Sequence, residues 1–79
     1  MKLVQFTQQR DYIFSLTFTN GVSIETDLTP LIAKHVAQAE LATARIDREW
    51  GCLEFKDGAV DIEPNTLYQW AASHKLYPH

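Results

Sequence analysis

The chain has one cysteine, Cys52, and no second thiol to pair with it. Small secreted domains are ordinarily stapled by paired cysteines, so the composition argues against a disulfide scaffold. No window approaches the ~20 consecutive apolar residues of a membrane span. The opening MKLVQFTQQRDY holds no apolar run of signal-peptide length. These absences make a cytoplasmic protein without membrane association the expectation. Basic clusters are missing too. The seven Lys and Arg residues are scattered, the nearest approach being Arg45 with Arg48, and the formal net charge is −3. Phosphate-backbone binding needs a clustered basic face. Nucleic-acid association therefore survives only as an alternative in which the chain acts as a regulator within a complex. The three histidines form no His-x-x-x-His pair and lie at no ligand spacing from Cys52. No metal and no cofactor is expected.

With 79 residues the chain reads as a single domain, 1–79. A domain of this size buries roughly 60% of the surface its unfolded chain exposes. That supports one thin two-layer core and leaves little room for a deep enclosed site, which favours a surface function. The acidic residues gather in the second half, at Asp47, Glu49, Glu54, Asp57, Asp61 and Glu63. A solvated, solubilising surface is their simplest role.

The first half reads as strands. Val4 and Phe6 alternate with polar neighbours in Leu3–Thr7, followed by Gln8-Gln9-Arg10 as a connection. Asp11–Thr19 then places Tyr12, Phe14, Leu16 and Phe18 on one face, the strongest period-two signal in the chain. At Asn20-Gly21 a two-residue loop would set apolar residues opposite charged ones. A three-residue loop with Gly21 in the left-handed region pairs Phe18 with Val22, Leu16 with Ile24 and Phe14 with Thr26. Thr29 as N-cap and Pro30 at the first helical position open a helix. Leu31, Ile32, His35, Val36 and Ala39 recur along it at helical spacing. Its end is indistinct, with a stop near Gln38 and a further short turn before Ala44.

In the second half, Arg45–Asp47 is a short strand, Arg48–Gly51 a turn with positive φ at Gly51, and Cys52–Phe55 a strand with Leu53 and Phe55 inward. Asp57-Gly58 serves as a two-residue loop that pairs Phe55 with Val60 and Leu53 with Ile62. Pro64 opens the last helix behind Glu63. Ile62 and Leu67 sit at the positions of a hydrophobic staple. Leu67, Trp70, Ala71 and His74 form the expected inward stripe, and Lys75–His79 is expected to fray. The fold class is α+β: a small two-layer domain with a mostly antiparallel sheet. A β-meander, a helix and short hairpin strands precede a C-terminal helix packed on the sheet.

The run DREWGCLEFKDGAVDIEPNTLY, residues 47–68, resembles the closing part of a family of small bacterial proteins known as DUF2442, a domain of unknown function. The first half agrees at Asp11, Tyr12, Leu16, Phe18, Asn20, Gly21, Asp27, Leu28, Pro30, Leu31 and Ile32. The chain departs from the pattern between Lys34 and Ala44, where members often carry a longer segment. The resemblance implies a small α+β fold and no assigned catalytic residue. It also implies frequent encoding beside a second small protein, an arrangement similar to a toxin–antitoxin pair.

Each candidate site has a plainer competing account. Cys52 as a nucleophile needs an electropositive setting, and its neighbours are core-like. Asp57, Asp61 and Glu63 could serve acid–base chemistry or hold a cation, yet turn formation and the helix dipole account for them as well. His35 and His74 fit half-buried positions beside apolar helix faces, and His79 a mobile end. Trp70 fits the core. Trp50 lies in a turn, where it either folds back as a lid or stands out as a partner anchor. Unpaired sheet edges add homodimerisation or strand addition by a partner. The expectation is a non-enzymatic protein-interaction module, with Trp50 as candidate partner-binding residue and a small protein or a second copy as partner. The alternative is a small metal-dependent or cysteine-based hydrolase using Asp57–Glu63 or Cys52.

Overall fold

Two three-stranded antiparallel sheets and the C-terminal helix share one apolar core. The computed structural model describes residues 1–76. Strands β1 (Leu3–Arg10), β2 (Ile13–Phe18) and β3 (Ser23–Asp27) form the first sheet in sequence order. A one-turn helix α1 (Thr29–Ile32) and a 3-10 helix (Gln38–Thr43) lead to the second sheet. That sheet contains β4 (Arg45–Asp47), β5 (Cys52–Phe55) and β6 (Val60–Ile62), and is followed by α2 (Pro64–Ser73). The shortest dimension is 17 Å, in keeping with two layers.

The expected registers hold in both hairpins. Leu16 pairs with Ile24 and Phe14 with Thr26, while the Phe18 N–H donates to the Val22 carbonyl at 3.0 Å. Gly21, at φ 83°, donates to the Phe18 carbonyl at 2.9 Å, completing the three-residue loop. In the second sheet Leu53 pairs with Ile62 and Phe55 with Val60. Asp57 and Gly58 both take positive φ, and the Ala59 N–H donates to the Lys56 carbonyl at 3.1 Å, a two-residue loop of the primed type. Phe14 and Phe55 meet edge to face at 6.1 Å across the core, and Tyr68 of α2 meets Phe18 at 5.0 Å.

Several expectations are corrected. Strand β1 runs on through Gln8-Gln9-Arg10, and the true connection is Asp11-Tyr12, with Asp11 at φ 46°. A bulge between Leu3 and Gln5 turns Leu3, rather than Val4, toward the core beside Phe6. The start of α1 is held by Asp27. Its Oδ1 accepts from the Thr29 N–H at 2.9 Å and the Thr29 hydroxyl at 2.6 Å, and the Thr29 side chain itself makes no capping bond. The helix stops after one turn. The Val36 carbonyl accepts from the Tyr12 hydroxyl at 2.6 Å, and Ala37 is extended. The Glu40 carboxylate then accepts from the Ala37 N–H at 2.9 Å, starting the 3-10 helix as a new element. His35 consequently lies exposed.

Helix α2 buries Leu67 and Ala71, with Tyr68 and Trp70 half-buried beside them. His74 leaves the expected stripe: it is exposed and stacks on Trp70 with ring centroids 3.7 Å apart. Lys75 and Leu76 do not fray. Lys75 bridges Thr26, and the Leu76 N–H donates to the Glu25 carbonyl at 2.8 Å, so they cover part of the outer edge of β3. The expected fraying of residues 77–79, with His79, lies outside the described residues.

Candidate functional site

The turn after β4 is built to be rigid. Asp47 Oδ1 accepts from the Glu49 N–H at 3.0 Å, and the Gly51 N–H returns to the Asp47 carbonyl at 2.6 Å. Gly51 sits at φ +74°, and a Cβ there would lie 2.3 Å from Lys2 Cβ and 2.7 Å from Lys2 Cα. Only glycine fits this conformation and this closeness together. Its carbonyl accepts from the Leu3 N–H at 3.0 Å, which joins the two sheets. One residue earlier, Trp50 is left 66% exposed, so it is not a lid over the core. Of the four exposed large apolar side chains among the described residues, Met1, Val4 and Trp50 each lie within two residues of that joint, and Leu76 does not.

Beside Trp50 opens a groove of about 450 Å³, lined by Asp47, Trp50, Cys52, Asp61, Glu63, Pro64 and Asn65. Strand alternation explains the set. Leu53 and Phe55 point into the core, so Cys52 and Glu54 lie on the other face of β5. Their cross-strand partners Asp47, Arg45 and Asp61 share that face. Asp47, Glu54 and Asp61 therefore occupy one small sheet face, with Glu63 at the entry to α2. Among the residues of β4, β5 and β6, Arg45 is the one basic residue. Its guanidinium bonds Glu54, which is 9% exposed, and its Nη1 lies 3.7 Å from Asp57. The bond to Glu54 raises the Arg45 pKa further.

The carboxylate group anticipated from the sequence is thus divided. Asp61 and Glu63 reach the groove, whereas Asp57 extends into solvent beside Arg45. Asp47, not singled out in the sequence, takes the third place; register arithmetic from Cys52 would have found it. Cys52 is buried on the groove floor. Burial raises its thiol pKa, and Asp61, Asp47, Glu63 and Glu54 raise it further, the reverse of what a nucleophile needs. Among the described residues no histidine lines the groove. Among the described residues no group of three or more His, Cys, Asp or Glu side chains is placed to hold a metal. His35 is exposed, and its carbonyl accepts from Lys56 Nζ at 3.2 Å. Trp70 donates from Nε1 to the Asp27 carbonyl at 3.1 Å and packs against the core.

Fold and groove define a small α+β domain whose open acidic groove is flanked by an exposed indole. The family described as "Protein of unknown function (DUF2442)" matches residues 3–73, and the chain belongs to it. No curated protein and no solved structure matches the chain. Among the described residues no helix is long and apolar enough to cross a membrane.

Proposed function

We propose that the chain is a non-enzymatic protein-interaction module whose contact surface is centred on Trp50. The observation that carries this reading is the 66% exposure of a tryptophan on a turn locked by Gly51 and Asp47. An indole held rigidly in solvent loses little conformational freedom on binding, and tryptophan is enriched among residues that dominate binding energy. The partner we propose is a second small protein, in line with the gene neighbourhood that the family resemblance implies. The thiol held in its neutral form and the divided carboxylates favour this reading over a cysteine or metal hydrolase.

The test is affinity capture of the tagged chain from its native lysate, followed by mass spectrometry. The reading predicts one stoichiometric small protein that is lost with Trp50→Ala, a substitution at an exposed site that leaves the fold intact. Recovery of the bait alone would overturn it.

A further inference from the structure

The exposed indole and the carboxylates belong to one continuous surface, and their combination limits what can bind there. Asp47, Asp61 and Glu63 line the groove, Glu54 lies on the same sheet face, and Arg45 is committed to Glu54 and Asp57. Lys2 and Arg48 belong to segments that meet at the turn, but neither lines the groove. The unpartnered face therefore presents an uncompensated negative charge next to a flat aromatic surface.

We infer that the outer face of the β4–β5–β6 sheet is a docking site for a basic segment of a partner protein, with an Arg or Lys side chain placed between Trp50 and the Asp61/Glu63 carboxylates. The inference rests on the interaction reading above and names the chemistry of its partner. Charge complementarity is the argument. A guanidinium or ammonium gains attraction from the carboxylates and from the face of the indole together. A second copy of the chain fits this surface badly, because it would bring like charges together on a protein whose net charge is already −3. The groove is open rather than enclosed, which suits a side chain entering from an extended segment.

The experiment is an NMR titration of the ¹⁵N-labelled chain with an oligoarginine peptide at low salt, with oligoglutamate as control. Shift changes are expected at residues 47–52 and 61–65, and absent with oligoglutamate. The double substitution Asp61→Asn, Glu63→Gln is expected to weaken binding about tenfold, as is a rise in salt to about 0.3 M. Both residues are exposed, so the fold survives the change, and an unaltered spectrum elsewhere verifies this. Shifts spread over every acidic segment, including Asp11, Asp27 and Glu40, would show unspecific attraction and overturn the inference. So would the absence of any shift at millimolar peptide. Capture separates the two proposals. A partner lost with Trp50→Ala but retained by Asp61→Asn, Glu63→Gln leaves the module standing and removes the basic segment. No capture and no peptide binding removes both.

Discussion

The two sheets of this small domain reach order by different means. The β1–β3 sheet has strands of eight, six and five residues, and its central strand alternates buried and half-buried positions along its whole length. The β4–β6 sheet has strands of three, four and three residues, and every residue of its central strand is buried. In the first sheet a register slip would turn the whole apolar face of β2 outward, so the pattern itself enforces register. In the second the strands are too short for that. Turns take over: Asp47 and Gly51 lock one end, three successive positive-φ residues (Lys56, Asp57 and Gly58) lock the other, and Pro64 sets the helix entry. The dense turn chemistry from Asp47 to Pro64 is therefore structural, and the sheet face it supports carries the proposed contact surface.

The largest break in this contrast is expected at the joint between the sheets. Gly51→Ala forces a positive φ and a collision with the Lys2 backbone, so a loss of more than ~3 kcal/mol, or failure to fold, is predicted in urea denaturation. Gly21→Ala shares the positive φ but meets nothing within 4 Å, so it should cost only ~1 kcal/mol. Near-equal losses would mean that the joint is not what orders the second sheet.

The next effect lies on the acidic face. Arg45→Ala removes the ion-pair partner of the nearly buried Glu54, and a measurable loss of stability is expected from the same assay. Lys56→Ala, which removes a pair with Glu40 in which neither partner is buried, should cost less than Arg45→Ala.

The thiol gives a kinetic measure. With its pKa raised by burial and then by the surrounding carboxylates, Cys52 should react with iodoacetamide at pH 8 at least about tenfold more slowly in the folded chain than in urea. Equal rates would show that the groove floor opens freely.

The smallest effect belongs to the connection between the sheets. Glu40 is held below its ordinary value of 4.5, chiefly by the Ala37 N–H bond and then by Lys56. Because the folded value is the lower one, its contribution is present above the ordinary carboxylate range and is lost as pH falls through the lowered value. The protection factor of the Ala37 amide, the exchange rate corrected for its intrinsic pH dependence, should therefore fall on acidification, and Glu40→Gln should remove that change.

What could be read from the sequence follows the same division. The Asn20-Gly21 and Asp57-Gly58 registers were legible because each loop left a single pairing that kept apolar residues together. The continuation of β1 through Gln8-Gln9-Arg10 was not, since an exposed polar edge strand carries no alternation to read. Nor was the one-turn length of α1, which depends on the Tyr12 hydroxyl reaching the Val36 carbonyl, 24 residues away. The pairing of Lys75-Leu76 with β3 is likewise a tertiary matter. At the site, Trp50 was recognisable as a turn aromatic, but its exposure depends on the Gly51–Lys2 contact between sheets. Nearness in sequence groups Asp57 with Asp61 and Glu63, whereas strand alternation selects Asp47 in its place.

The most direct test of the account is hydrogen–deuterium exchange of the chain alone and with its captured partner. The account predicts protection at residues 47–52 and 61–65 and none along the free edge of β1. Protection confined to residues 3–10 would move the interface to the first sheet and contradict it.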